Sequence, residues 1–172
     1  MRDDIRARAY RAAATITRER LRRDAPERAR ALESVQAGDV VVVAGAYDHV
    51  ESVLGALDVP HSVIQPGDLD RLRLRPEQLL IVNCPGQVSD AAVVRIRRFV
   101  EAGGSLFTTD WALRYVIEPA FPGVLALNGR PTPDDVVRIE VKDRDDIYLQ
   151  GVLDGQDDPQ WWLEASSYPI TV

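Results

Sequence analysis

The chain has 172 residues, of which 45% are apolar and 28% are charged, and its net charge is −6. This composition supports a buried core and excludes a disordered or fibrous protein. The single cysteine, Cys84, excludes a disulfide framework and a zinc site built from several cysteines. No apolar run approaches the ~18 residues of a membrane span, and the charged N-terminus does not resemble a secretory signal, so we expect a cytoplasmic protein without membrane contact.

Basic residues are concentrated near the N-terminus. Residues 1–34 contain ten arginines and six acidic residues, whereas the rest of the chain is strongly acidic. Nucleic-acid binding requires clustered cations, so the net negative charge predicts no nucleic-acid partner. One arginine cluster, within 18–23, is interpreted either as a solvated helix face or as a surface that docks on the acidic body of the same protein.

Residues 1–36 are predicted to form a helical arm. The segment 2–23 is rich in Ala and Arg, lacks Gly and Pro, and places its apolar side chains near one stripe. Asp24 and Pro26 predict the N-cap and the first turn of a second helix that continues through Leu32. Because the arm is weakly apolar, we expect it to pack on the main domain or on a partner.

Residues 37–172 are predicted to form one α/β domain. Four segments indicate strands, of which the first, third and fourth are expected to be buried, and two amphipathic segments indicate helices between them. In chain order these are a strand at 40–44, a helix at 50–57, strands at 61–64 and 79–82, a helix capped by Ser89, and a strand at 105–109. Since crossovers between parallel strands are right-handed, this order predicts a doubly wound, mostly parallel sheet.

The pattern loosens after Asp110. We predict a short helix at 111–117, a turn at 121–123, edge strands at 124–127 and 136–141, and a last strand around 168–172. The acidic segment between them does not match the 12-residue calcium loop and lacks its terminal bidentate glutamate. We therefore expect a solvated loop and no bound metal at Asp143, Asp145, Asp146, Asp154, Asp157 and Asp158.

Two neighbouring segments resemble a known family. They are the strand and loop Leu79-Leu80-Ile81-Val82-Asn83-Cys84-Pro85-Gly86, and a helix opened by Ser89-Asp90 that ends in Arg98-Phe99-Val100-Glu101-Ala102-Gly103-Gly104-Ser105-Leu106. In these residues the chain resembles the class I glutamine amidotransferase-like superfamily, in the branch of the trehalose-utilisation (ThuA-like) and β-galactosidase trimerisation domains. With Val40–Gly45 as the first strand, the resemblance covers roughly residues 38–112 and implies a flavodoxin-like sheet.

The resemblance also shows which catalytic parts are missing. In catalytic members a nucleophilic cysteine lies on a sharp strand-to-helix turn after the fourth strand, where backbone N–H groups receive the oxyanion. That turn corresponds to 108–112, which contains neither a cysteine nor the flanking glycines. Cys84 falls instead in the loop after the third strand, which in the family contributes to the oxyanion pocket. Both histidines, His49 and His61, precede Cys84, so the downstream histidine is missing and glutaminase activity is not expected.

Candidate site residues follow the predicted strands, because ligands bind at the carboxyl ends of such sheets. Candidates for catalysis are Asp110, Cys84 and His49, and candidates for ligand binding are Tyr47, Asp48, Asn83, Thr109 and Trp111. Each has a plainer interpretation, such as a small buried hydrophobe for Cys84 and a helix N-cap for Asp48 or Asp110. The loop after the first strand lacks the glycine spacing of a dinucleotide site, and no P-loop is present, so no cofactor is expected.

Trp161 and Trp162 are candidates for an interface. Adjacent strand residues face opposite sides, so we expect one tryptophan to cap the core and the other to be available to a partner. The sequence thus predicts a catalytically inactive glutamine amidotransferase-like domain that acts as a cytoplasmic protein-binding or assembly module. One alternative is a hydrolase or other enzyme that binds a small molecule and uses Asp110, Cys84 and His49. The other is a homo-oligomeric structural domain.

Overall fold

The computed structural model describes residues 2–150, 152 and 158–172. Two compact units divide the chain, the first ending at Ala126 and the second running from Leu127 to Val172. The domain boundary predicted at residue 36 separates segments of different composition and stays a prediction. None of the helices in the described residues combines the length and the apolar character needed to cross a bilayer.

Helices and parallel strands alternate in the first unit. Its helices are α1 (Arg2–Asp24), α2 (Pro26–Ser34), α3 (Val50–Ala56), α4 (Asp90–Glu101) and α5 (Glu118–Ala120). Its sheet strands are β1 (Val40–Val43), β2 (Ser62–Ile64), β3 (Leu79–Val82) and β4 (Ser105–Thr108). A 3-10 turn at Pro66–Asp70 precedes β3, and a π-helical turn at Leu113–Ile117 leads into α5. The predicted helices and strands up to β4 are confirmed to within two residues at each end.

The four strands form one parallel sheet in the order β2-β1-β3-β4. In its register Val42 lies between Val63 of β2 and Ile81 of β3, and Ile81 lies beside Phe107 of β4. The first unit is therefore an α/β fold. The long apolar runs of β1 and β3 are explained by their central positions, which bury both faces of each strand.

Successive side chains of β1 and β3 point to opposite faces of the sheet, and each face has its own apolar cluster. One cluster packs the sheet against α4 and contains Val41, Val43, Leu80, Val82, Ala92, Ile96 and Phe99. The other contains Val40, Val42 and Ile81, with Val50 and Leu54 of α3 packed against them. Burying one such aliphatic side chain contributes about 1.5–3 kcal/mol, so these central strands are the main source of the sheet's stability.

β4 differs from the buried strand that its apolar sequence predicts. Its residues alternate between exposed and partly buried, and Phe107 is 53% exposed. The reason is its place at the edge of the sheet, where it pairs with β3 on one side alone. The prediction of a buried fourth strand is therefore wrong.

Of the four residues predicted as helix N-caps, Ser89 alone caps its helix, and Asp110 is described with the site below. Ser89 caps α4 as predicted, since its hydroxyl oxygen accepts a hydrogen bond from the Ala92 N–H at 3.0 Å. Asp24 is not the N-cap of α2, because α1 continues through it and its carboxylate pairs with Arg23 at 2.7 Å. Asp48 is not the N-cap of α3 either. That position belongs to His49, whose side chain makes no capping bond.

The arm is fixed to the rest of the first unit by polar contacts. Arg18 of α1 pairs with Asp58 at 3.1 Å and donates to the Leu57 carbonyl, just past the end of α3. Within the arm itself, Arg22 pairs with Glu33 of α2 at 3.1 Å. Of the two interpretations of the arginine cluster, docking on the same chain therefore holds for Arg18.

Short strands form the second unit. β5 (Ala126–Leu127) pairs with β8 (Ile170–Thr171), and β6 (Asp135–Arg138) pairs antiparallel with β7 (Gln160–Leu163). Trp162 lies opposite Val136, and Trp161 lies opposite Val137, so the tryptophans occupy opposite faces of the β6–β7 hairpin. Trp161 is 50% and Trp162 67% exposed. The expectation that one of them caps a core is wrong, because a two-stranded sheet leaves both faces open.

Candidate functional site

The connections of the sheet diverge between β1 and β3. From β1 the chain passes through α3 to β2 on one side, and from β3 it passes through α4 to β4 on the other side. Loops that leave adjacent strand ends in opposite directions create a crevice, which is where open α/β sheets bind ligands. Most of the residues predicted for a site lie in the loops at this edge.

Cys84 joins the loops that follow β1, β3 and β4. Its carbonyl accepts hydrogen bonds from the N–H groups of Ala46 at 2.9 Å and Tyr47 at 3.3 Å. Its own N–H donates to the Thr109 hydroxyl at 2.9 Å, and its thiol donates to the Asp110 carboxylate at 3.4 Å. Cys84 is only 1% exposed. Its backbone and its side chain therefore hold this edge of the sheet together.

The surroundings of Cys84 favour the neutral thiol. Burial is the main cause that raises its pKa to about 11, and the Asp110 and Asp48 carboxylates raise the pKa further, against the opposing effect of the Trp111 N–H. The thiolate is the nucleophilic form of cysteine. With a pKa about four units above neutral, Cys84 is poorly suited to nucleophilic attack.

Asp110 occupies the sharp turn at the end of β4. Its φ is +41°, in the left-handed region that few residues other than glycine adopt. The preceding Thr109 N–H still bonds to the Val82 carbonyl at 3.1 Å, while the Asp110 carbonyl already accepts from Leu113 at 3.1 Å. The Asp110 carboxylate accepts from the Cys84 thiol, and the helical turn that follows has Ala112 at its N-cap position. The N-cap interpretation of Asp110 is therefore wrong.

Two glycines allow these loops to approach each other. A Cβ atom on Gly86, whose φ is +71°, would lie 2.5 Å from the Cβ of Ala112. A Cβ atom on Gly45 would lie 2.3 Å from the Cys84 carbonyl oxygen. The sequence analysis did not identify either glycine as part of the site. The sequence feature that could have identified them is their position shortly after the predicted strands β1 and β3.

A second polar group lies at the start of α3. The fully buried Asn83 donates from Nδ2 to Glu51 at 2.8 Å and accepts from the Val50 N–H at 3.4 Å. His49 Nδ1 lies 3.0 Å from the other Glu51 oxygen. Partial burial opposes the charge on Glu51, but hydrogen bonds from its own backbone, His49 and Asn83 hold its pKa below the ordinary value. Sequence reasoning identified His49 and Asn83 but missed Glu51.

The three catalytic candidates are thus divided between two separate groups. Cys84 and Asp110 form one hydrogen-bonded pair, and His49 is bonded to Glu51 in the other. No hydrogen bond between described residues joins His49 to Cys84, so the thiol has no imidazole base. Trp111 lies beside Asp110 and packs its ring against Tyr115, with ring centroids 6.4 Å apart.

A groove of about 640 Å³ lies between α1 and the loop after β1. We call it the arm groove, and its lining residues are Arg6, Ala7, Tyr10, Arg11, Tyr47, Asp48, His49, Ser52, Gly55 and Ala56. Tyr47, Asp48 and His49 are the predicted site residues that it brings together. The Cys84–Asp110 pair lies outside this lining, so the open space and the thiol–carboxylate pair are separate features.

Metal-binding chemistry is not found in the described part of the chain. No group of three or more His, Cys, Asp or Glu side chains there has the arrangement of a metal site. Within the acidic segment, Asp143 accepts from a backbone N–H and Asp158 pairs with Arg138 at 2.7 Å. Asp154 and Asp157 lie outside the described residues.

No protein-family model, no curated protein and no solved structure matches the chain. What the site can do therefore follows from its own geometry and chemistry. It combines a protonated thiol bonded to a carboxylate with a separate open groove that has arginines in one wall.

Proposed function

We propose that this chain is a catalytically inactive domain of the glutamine amidotransferase-like kind, acting in the cytoplasm as a protein-binding or assembly module. The resemblance of residues 79–110 supports the family. The strand order β2-β1-β3-β4, with apolar clusters on both sides of β1 and β3, supports a doubly wound, flavodoxin-like arrangement. A single cysteine without a disulfide fits a reducing compartment.

The bond between the Cys84 thiol and the Asp110 carboxylate is the observation that carries the proposal. In catalytic members of the family that the chain resembles, a nucleophilic cysteine lies at the turn that corresponds to 108–112. Asp110 lies at that turn in this chain. Cys84 keeps its proton at neutral pH and is closed to solvent. A nucleophilic cysteine needs a thiolate or an adjacent imidazole base, whereas here His49 is bonded to Glu51 and the Asp110 carboxylate raises the pKa of the thiol.

Exposed apolar residues of the second unit support the binding part of the proposal. Both faces of the β6–β7 hairpin carry a cross-strand pair of a tryptophan and a valine. Trp161 and Trp162 are each at least half exposed, and tryptophan is among the residues that contribute most to interfaces. We propose that this hairpin is the contact surface for a protein partner.

Turnover assays test the catalytic part. We expect the wild-type chain to release no ammonia from glutamine, and to hydrolyse 4-nitrophenyl acetate no faster than the Cys84→Ser and Asp110→Asn variants. The Ser34→Ala variant carries a change at an exposed position of α2 and is purified in the same way, so it is the matched control for the two site variants. Turnover that the control retains and either site variant loses would overturn the proposal.

A hydrolase that uses Asp110 is the second candidate function. The left-handed backbone of Asp110 at a strand-to-helix turn favours it, because strained residues are frequent at active sites and this residue is exposed. Asp110 would then act as the nucleophile or the base, with Cys84 as its hydrogen-bond donor. Loss of activity in Asp110→Asn with retention in Cys84→Ser is the pattern expected for this candidate.

A further inference from the structure

The arm groove has the size and the place of a small-molecule site. Its volume of about 640 Å³ lies within the range of ~300–1,000 Å³ that is usual for ligand sites. It opens beside the loop that follows β1, next to the divergence of the connections between β1 and β3. Ligands of open α/β sheets bind at this kind of position.

The wall formed by α1 is basic, although the chain as a whole is acidic. Arg6 and Arg11 line the groove from this helix, and neither pairs with a carboxylate among the side chains that the structure describes. Guanidinium groups bind phosphate and carboxylate oxygens through charge-assisted hydrogen bonds. Two of them at one groove favour an anionic ligand, and a doubly charged phosphate more than a single carboxylate.

The other lining groups favour a ring and hydrogen-bond donors on the same ligand. Tyr10 lines the groove from α1, and Tyr47, which is 76% exposed, lines it from the loop after β1. Tyrosine rings on both sides offer stacking surfaces for a flat ring. Asp48, the one carboxylate among the described lining residues, accepts hydrogen bonds and so favours a ligand with hydroxyl or amino groups.

The two walls are held at a fixed distance. Contacts from Arg18 to Asp58 and to the Leu57 carbonyl join α1 to the end of α3. On the opposite wall, hydrogen bonds from Ala46 and Tyr47 to Cys84 hold the loop after β1. The groove is therefore formed before a ligand arrives, which lowers the entropic cost of binding.

We infer that the arm groove binds a small phosphate monoester with a flat ring and hydroxyl or amino groups, which is the chemistry of a mononucleotide. Arg6 and Arg11 bind the phosphate, Tyr10 and Tyr47 enclose the ring, and Asp48 accepts from the hydroxyl or amino groups. Binding of this kind needs no turnover. It therefore holds or fails independently of the proposed function.

Titration calorimetry with defined probes tests the inference. Adenosine 5′-monophosphate, adenosine and inorganic phosphate are titrated into the full chain at 0.15 M salt, where weak long-range attraction is screened. We expect the monophosphate to bind saturably, and adenosine and phosphate each to bind at least about tenfold more weakly, because each lacks one part of the contact. A dissociation constant for the monophosphate above ~10 mM would overturn the inference.

Variants then separate the groove from general attraction to arginine. Arg6→Ala and Arg11→Ala are each expected to weaken binding of the monophosphate by about tenfold, the usual effect of one lost charge-assisted hydrogen bond. Arg8→Ala removes the same charge from an exposed position of α1 outside the lining, and is expected to change the affinity less than about twofold. An equal loss in all three variants would overturn the inference, and so would no loss in any.

Discussion

Cys84 and Asp110 each determine the chemical state of the other. The carboxylate accepts a hydrogen bond from the thiol, and its charge raises the cost of forming a thiolate 3.4 Å away. A carboxylate at this turn is therefore a structural reason to expect low reactivity of the cysteine. Removing the charge of Asp110 should make Cys84 more reactive.

Alkylation by iodoacetamide measures that reactivity. With a pKa of about 11, only about one wild-type Cys84 in a thousand is a thiolate at pH 8, so we expect very slow labelling. Asp110→Asn should label several-fold faster, because the amide removes the charge and asparagine tolerates the left-handed backbone. Asp48→Asn should give a smaller increase, since the effect of its charge on the pKa is the smaller one. Wild-type labelling as fast as free cysteine would contradict the assignment.

Glu51 makes the stability of the fold depend on pH. Because its pKa is lower in the folded chain than the ordinary 4.5, its contribution is fully present above pH ~4.5 and is lost as the pH falls through the folded value. We expect Glu51→Gln to be less stable than the wild type by about 1 kcal/mol at pH 7, with the difference shrinking towards pH 2. Urea unfolding across this pH range measures the difference.

The matched control for Glu51 is an exposed glutamate. Glu101 pairs with Arg97 at 2.9 Å across one turn of α4, and both side chains are more than half exposed. Glu101→Gln should therefore cost no more than about 0.5 kcal/mol at any pH. If the cost of Glu51→Gln were the same at pH 7 and pH 2, the charge of Glu51 would not be its cause.

The loops between elements depend on glycine where two backbones come close. Gly86 lies in the loop after β3 and faces the start of the helical turn that follows β4, so any side chain there meets Ala112. The same residue has a positive φ, which adds backbone strain to the steric conflict. Packing and backbone conformation thus require glycine at this position for two separate reasons.

Alanine substitutions separate these two reasons. Gly86→Ala should cost about 3 kcal/mol or more, the sum of ~1 kcal/mol of backbone strain and the overpacking against Ala112. Gly123→Ala has a similar φ of +83° and open space around it, so it should cost only about 1 kcal/mol. Ala112→Gly in the Gly86→Ala background should recover part of the loss. Equal costs at Gly86 and Gly123, measured by urea unfolding, would contradict the steric explanation.

Elements with a strong local signal were predictable from the sequence. β1 and β3 are apolar runs, α4 has an apolar face and a serine cap, and each lies where the pattern placed it. β7 was missed because four residues with both tryptophans exposed give no alternation between buried and polar positions. The start of α3 was predicted correctly, but its N-cap was assigned to Asp48, whereas the position belongs to His49.

The candidate site was predictable only in part, because local sequence patterns do not reveal long-range contacts. Residues such as Asn83 and Asp110 follow strands, so the parallel arrangement places them at one edge of the sheet. The arm groove depends on the position of α1, which is set by contacts between Arg18 and residues around Asp58. Nothing in the local pattern of either segment indicates that contact. Sequence reasoning therefore identified residues of the site but not which of them share a cavity.

At the scale of the whole chain, the β6–β7 hairpin is an exposed apolar surface, with Trp161 and Trp162 each at least half exposed. A two-stranded sheet is only marginally stable in water, and this one keeps an apolar pair on each face. Association would bury the tryptophans and stabilise the hairpin at the same time. A second copy of the chain would bring the same exposed tryptophan–valine pairs to the contact.

Sedimentation measures this association. We expect the wild-type chain to form dimers or larger species at micromolar concentration, and the Trp161→Ser/Trp162→Ser double variant to remain monomeric. Tyr148→Ser changes an exposed aromatic residue in the segment between β6 and β7, outside both strands, and should behave like the wild type. A wild-type chain that stays monomeric at high concentration would leave a different protein as the partner of the hairpin.

All four strands of the parallel sheet are complete by Thr108, well before the second unit begins. Ribosomes add roughly 5–20 residues per second, so several seconds separate synthesis of β4 from synthesis of β7. Small α/β sheets fold within that time, so the first unit can fold on the ribosome. The β4 edge, with its half-exposed Phe107, is then present while the second unit is still being synthesised. Chaperone contact and premature strand pairing during translation should therefore concentrate on the two edge strands of this sheet, β2 and β4.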